Sequence, residues 1–173
     1  RSRFLPAIDR LQEYCHISNL DGGQDYRLIE LQQTELFHVP HDERAIDSIR
    51  DYLTHHLVLG HEQGSLPING RDVDYQFRGE ATIWFTFDDL CRTARSRFDY
   101  LEIAREFGTV VLSGIQPMND QIVDVTRRFI SLIDVFYDHR VKLICSSAVA
   151  IDRLYQGRFL DFEFERTRSR LHE

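Results

Sequence analysis

Apolar side chains recur along this chain in two rhythms. Between Asp120 and His139, Ile122, Val125, Phe129, Leu132, Ile133 and Phe136 return at i, i+3, i+4 and i+7 spacing, while Asp124, Arg127, Arg128, Asp134 and Asp138 take the other face. That pattern predicts an amphipathic helix with one buried stripe. His41–Leu59 predicts a second helix, with Ala45, Ile46, Ile49, Tyr52, Leu53 and Leu57 on one side and Asp42-Glu43 suited to its start. Phe4–Tyr14, Tyr100–Phe107 and Glu165–Glu173 read as further helices, the first tolerating Pro6 in its opening turn. The other rhythm has a period of two. Ala81–Phe87 alternates Ile83, Phe85 and Phe87 and predicts a half-buried strand. Thr109–Ile115 and Val141–Ser146, built on the mostly apolar stretches Thr109–Leu112 and Val141–Cys145, read as buried strands.

The remaining segments are less regular. His16–Leu20 reads as a short strand closed by Asp21-Gly22-Gly23, and Tyr26–Val39 as extended chain. Gly60–Gly79 is polar and contains glycines, with short strand candidates around Leu66–Ile68 and Val73–Phe77. It offers the best internal boundary. From residue 81 to 147 the order is strand, helix, strand, helix, strand, the signature of a parallel sheet with crossover helices. The expected fold class is therefore α/β, with a parallel or mixed sheet flanked by helices. The expected division is residues 1–20, a small mixed α+β extension over 21–79, and a C-terminal α/β domain over 80–173.

Composition narrows the function classes. The net charge of −7 argues against a dedicated nucleic-acid grip, which needs a basic face. No apolar run approaches the roughly 18 residues of a membrane span. Cys15, Cys91 and Cys145 are far apart and form no CxxC pair, which suits a reduced, cytoplasmic setting. Of 21 basic residues, Lys142 alone is lysine. Arginine favours rigid, forked contacts to carboxylate or phosphate. Genomic base composition is the blander account of the same bias. Residue 1 is Arg and the one methionine is Met118, so a longer parent chain is expected.

Several candidate chemistries fail on spacing. A phosphate-binding loop needs glycines followed by a lysine, but Lys142 sits inside a strand pattern with no glycine run before it. The chain alone is not expected to hydrolyse a nucleotide. His55, His56 and His61 miss the i, i+4 spacing of a helical metal pair, so no metal is expected. Ser146-Ser147 follows a strand but lacks the G-x-S-x-G elbow and any base placed by a sequence signal. A small hydrolase built on Ser146 is thus a minor alternative. Arg92, Arg95 and Arg97, and the pair Arg127-Arg128, are either anion or partner contacts or solvated surface. For Arg128 the bland account is an i, i+4 pairing with Asp124.

A set of segments in order carries a resemblance. They are Arg3-Phe4-Leu5-Pro6-Ala7-Ile8; Asp21-Gly22-Gly23 with Asp25-Tyr26-Arg27; Arg95-Ser96 with Asp99-Tyr100; Arg127-Arg128-Phe129-Ile130 running to Phe136-Tyr137-Asp138; Val141-Lys142-Leu143-Ile144 to Leu154-Tyr155-Gln156-Gly157; and Phe162-Glu163-Phe164-Glu165-Arg166 with Ser169-Arg170-Leu171. Together they resemble the C-terminal half of ZapE-type cell-division ATPases and their mitochondrial AFG-one-like relatives, which are AAA+ P-loop proteins. The likeness is weakest from Gln32 to Glu80, and Ala150 stands where relatives usually have Pro.

The resemblance implies that residues 1–20 end an ATPase core whose P-loop and acidic Mg²⁺ motif lie upstream. It implies ATP and Mg²⁺ as cofactors of the intact parent, and none for this chain alone. It makes Arg1 a candidate arginine finger, with Arg3 close behind, and Arg27 and Arg128 further candidates for contacts to nucleotide or a neighbouring subunit. The implied partners are the upstream core, neighbouring subunits and cell-division proteins. The plan of Val141–Gly157 also suggests that the second half is P-loop-like, a degenerate echo of the ATPase core. The alternative is a stand-alone interaction or adaptor domain without nucleotide chemistry.

Overall fold

A computed structural model describes residues 36–56 and 60–173. The helix expected over Phe4–Tyr14 and the strand expected over His16–Leu20 lie outside those residues. Leu36–Glu173 forms one compact unit. In chain order its elements are β1 (Phe37–His38), α1 (Glu43–His56), β2 (Gly60–Ile68), β3 (Arg71–Gly79) and β4 (Thr82–Thr86). A π-helical turn at Asp88–Arg92 leads to α2 (Arg97–Glu106), β5 (Thr109–Ile115), α3 (Val123–Asp138) and β6 (Lys142–Ser147). A 3-10 turn at Ile151–Arg153 precedes α4 (Asp161–His172).

Among the described residues the strands form one six-stranded sheet in the order β1-β6-β5-β4-β3-β2. β4, β5, β6 and β1 run parallel, and β3 and β2 extend the sheet as an antiparallel hairpin. The expected mixed sheet is therefore present, with β5 bounded as its apolar run predicts. Residues alternate strictly between two cores. Phe85, Val110, Leu112 and Cys145 face a large core shared with α2, α3 and α4. Trp84, Val111 and Ile144 face a smaller one closed by Ile49 and Leu53 of α1. Each such fully buried aliphatic or aromatic side chain contributes about 1.5–3 kcal/mol.

The polar stretch from Gly60 to Gly79 is a long edge hairpin, and the sheet continues unbroken from it into β4. Its turn is Asn69-Gly70, with φ of 47° and 73°, the left-handed pair that a two-residue hairpin loop requires. Because Ile68 and Arg71 close that turn, the nitrogen of Pro67 faces away from β3, where its missing proton costs no ladder bond.

One buried carboxylate ties this hairpin to α2. Asp99 is only 1% exposed. It accepts from Asn69 Nδ2 at 3.0 Å, Arg71 Nη2 at 2.5 Å and the Ser96 amide at 2.7 Å. With Ser96 it forms the capping box that starts α2. Arg71 also donates to the carbonyl of Ala94 at 2.7 Å. Burial opposes the charge on Asp99, but the Ser96 amide, Asn69 and Arg71 outweigh it and hold the carboxyl below the usual range.

Two outcomes follow for Asp99. Replacing it with Ala strands its donors and should cost about 2–3 kcal/mol in urea denaturation. In the wild type the folded pKa lies below the unfolded value of about 3.9. The stabilisation is complete above that value and is lost as pH falls through the folded pKa. Asp99→Ala should flatten that acid limb, and an unchanged limb would contradict the assignment.

Candidate functional site

Of the four arginines that the resemblance makes site candidates, Arg1, Arg3 and Arg27 lie outside the described residues. Arg128 is half-buried on α3, and its Nε donates to the carbonyl of Cys91 at 2.7 Å. It thereby holds the π-helical turn against α3, rather than pairing with Asp124 as its spacing allowed. Arg92 pairs with Asp88 at 2.9 Å. Arg95 donates to the carbonyls of Asp89 (3.2 Å) and Asp72 (3.1 Å).

Three of the described segments that carry the resemblance, those with Phe129, with Tyr155 and Gly157, and with Phe164, meet at one hub around Asp120. Asp120 accepts from Tyr155 Oη at 2.6 Å, from the Arg158 amide at 2.9 Å and from the Phe159 amide at 3.1 Å. The Tyr155 hydroxyl and the Phe159 amide lead in holding its carboxyl below the usual range. Tyr155 Oη also accepts from the Leu160 amide at 3.0 Å. Burial, followed by its bond to Asp120, pushes the Tyr155 phenol up. The Tyr155 ring stacks on Phe164 at 5.2 Å, Phe164 on Phe129 at 6.1 Å, and Phe129 meets Phe87 edge-on at 5.9 Å. A Cβ at Gly157 would come within 2.2 Å of Asp120 Oδ1 and 2.3 Å of Tyr155 Oη, so glycine is required there. Farther along α4, Arg170 bridges Asp134 (2.6 Å) and Asp138 (3.3 Å) of α3. These residues assemble the helical face of the domain, so their chemistry is architectural.

The open chemistry lies instead at the carboxyl ends of the parallel strands. Crossovers through α2 and α3 pack on one face of the sheet and α1 packs on the other. The direction of winding therefore reverses between β1 and β6, the place where open α/β sheets take ligands. There His41 Nδ1 lies 2.9 Å from Ser146 Oγ, and the Gly114 amide donates to the same Oγ at 3.3 Å. Gly114 has φ of 75°, which glycine adopts without the penalty of a side chain. The structure thus supplies a His partner for Ser146 that no sequence signal gave, 105 residues away. Ser146 is fully buried, however, and His41 acts as a strut between the β1–α1 turn and β6.

A cavity of about 340 Å³ opens beside this point, beneath α1. Its apolar lining is Ile46, Leu53, Phe77 and Trp84. Polar groups reach it from α1 (Arg50, Thr54), β2 (Glu62, Gln63) and the ends of β4 and β5 (Thr86, Ser113). The Trp84 indole donates to Ser113 Oγ at 2.8 Å, which fixes the ring as a wall. The turn between β1 and α1 is Val39-Pro40-His41-Asp42, without glycine. Asp42 Oδ1 already caps the Ala45 amide at 3.0 Å, and Glu43 adds a second acid. That helix start is set against a phosphate, which prefers free amides and no neighbouring carboxylate. Cys91 and Cys145 are buried, and burial pushes both thiols far up, so neither is a ready nucleophile.

Comparison with known proteins adds three findings. A family model described as AFG1-like ATPase matches residues 1–173. Cell division protein ZapE of Escherichia coli strain K12 is 40% identical over 176 residues, covering 100% of this chain and 46% of that protein. Lactation elevated protein 1 homolog B of Danio rerio is 32% identical over 177 residues, covering 100% of this chain and 35% of its own length. The chain therefore spans less than half the length of these curated relatives. No solved structure matches it.

The hub and the buried serine each give a test. Gly157→Ala should cost about 1–3 kcal/mol through overpacking. Combined with Asp120→Ala it should cost little beyond the larger single effect, because both break one set of contacts. Fluorophosphonate ester probes should leave Ser146 unlabelled, and mass spectrometry of the treated chain reads this directly.

Proposed function

Because the chain belongs to the AFG1-like ATPase family, we propose that it forms the C-terminal portion of an ATPase that couples ATP turnover to a cell-division partner. The observation that carries this reading is 40% identity to a cell division protein along the whole chain. In the proposal, the P-loop and Mg²⁺ site belong to a core upstream in the parent, and residues 1–20 are the end of that core. This chain supplies no nucleotide cradle of its own. Two observations support that division of labour: the absence of a glycine-lysine phosphate loop in its sequence, and the acid-capped start of α1.

In the intact assembly Arg1, with Arg3 behind it, would serve as the arginine finger. Its cation would stabilise charge on the transferring phosphoryl group, from within the chain or from a neighbouring subunit. Arg27 and Arg128 are secondary candidates for contacts to nucleotide or subunit. A cytoplasmic setting fits the free, buried cysteines. Among the described residues no helix is long and apolar enough to cross a membrane.

A stand-alone interaction domain is the second reading. It is favoured by Phe98, Phe159 and Phe162, which are 74%, 73% and 90% exposed. A P-loop upstream in the same reading frame decides between the two.

Calorimetric titration of Mg-ATP tests the first reading, with the full-length parent measured beside this chain. Binding by the parent alone is expected. Arg1→Ala in the parent should lower kcat by about 10³–10⁵-fold with little change in ATP affinity. Tight binding of Mg-ATP by the isolated chain would overturn the assignment.

A further inference from the structure

The cavity beneath α1 has features that neither the architecture nor the ATPase reading uses. Arg50 and Glu62 both line it. Among the described residues neither side chain makes an ion pair or a side-chain hydrogen bond, and both reach solvent, free to turn towards a ligand. Two opposite charges therefore flank one pocket and stay apart. The same lining includes Phe77, Leu53 and the Trp84 ring, whose single N–H is already satisfied by Ser113. The strand that brings Glu62 is also irregular there. Gln63, on the cavity rim, has φ of 35°, a conformation costing about 1–3 kcal/mol outside glycine. Such strain gathers at ligand sites.

We propose that this cavity binds a free α-amino acid with an apolar side chain. The carboxylate pairs with the Arg50 guanidinium, the ammonium with Glu62, and the side chain lies against Trp84, Phe77 and Leu53. A volume of about 340 Å³ falls at the small end of ligand pockets and suits a molecule of this size. The charge pattern selects against nucleotides. The lining carries one arginine and one carboxylate, and the nearest helix start carries Asp42 and Glu43. A purely apolar ligand would draw no affinity from either charge. This inference rests on the cavity alone and stands or falls independently of the ATPase assignment.

Trp84 is the chain's one tryptophan, so its emission reports on the pocket. The full chain is titrated with L-phenylalanine and L-leucine, by fluorescence and by calorimetry. N-acetyl-L-phenylalanine, which lacks the cation, and L-phenylalanine amide, which lacks the anion, are measured alongside. Saturable binding of the free amino acids is expected, with each blocked analogue weaker by about tenfold or more. Arg50→Gln should bind phenylalanine no better than its amide, and Glu62→Gln should bind it no better than the N-acetyl form. Both positions are solvent-exposed, and far-ultraviolet dichroism checks that the variants fold. The proposal is overturned by an absence of saturable binding at millimolar concentration. It is equally overturned by equal affinity for free and blocked forms. Adenosine monophosphate binding that strengthens in Glu62→Gln would mark the pocket as an anion site and also overturn it.

Discussion

A parallel strand in the middle of a sheet has two faces to hide, and here β4, β5 and β6 are apolar on both. Ile83 and Phe85, Val110 and Leu112, and Cys145 look one way; Trp84, Val111 and Ile144 look the other. Helices must therefore cover both sides. Among the described residues three of them share the first face, while α1 is the one helix on the second. The cavity follows from that imbalance. One helix of 14 residues shields its centre with Ile49 and Leu53, and leaves a gap where the sheet widens into the β2–β3 hairpin.

The elements readable from the chain were those whose period survives burial. α3 shows its stripe because one side is wet, and β5 and β6 show as short, largely apolar stretches because both of their faces are packed. The hairpin was harder to read. Its outer strand reaches solvent at Gly60, His61, Glu62 and Gln63, so alternation fades where pairing is in fact continuous. The two-residue β1 is too short to have a pattern at all, and its parallel partner β6 lies more than a hundred positions away. The site was less legible still. Arg50, Glu62, Phe77 and Trp84 come from four separate elements, and none has a motif. The segments that carry the family likeness were legible as a set. Asp120, Tyr155, Gly157 and Phe164 meet through contacts that spacing alone does not reveal.

The bias towards arginine has a use in the fold. Arg71, Arg95, Arg128 and Arg168 each donate to backbone carbonyls of loops or turns, those of Ala94, Asp89 and Asp72, Cys91, and Tyr155 respectively. Arg170 holds two carboxylates of α3 at once. A planar fork with five donors can close a loop and grip a carboxylate together, which a lysine ammonium does poorly. Lys142 is held differently, by the Tyr52 hydroxyl at 2.5 Å and over its ring at 4.6 Å.

The outer border of β2 has a bearing on how copies of this domain behave when crowded together. Exposed strand borders invite another chain to zip on, and growth in that direction leads to fibres. Here Pro67 removes one outward donor and Gln63 twists another out of line. A visiting strand would find no run of consecutive amides long enough to hold it. Copies held close together are thus poorly templated for polymerising through this side of the sheet.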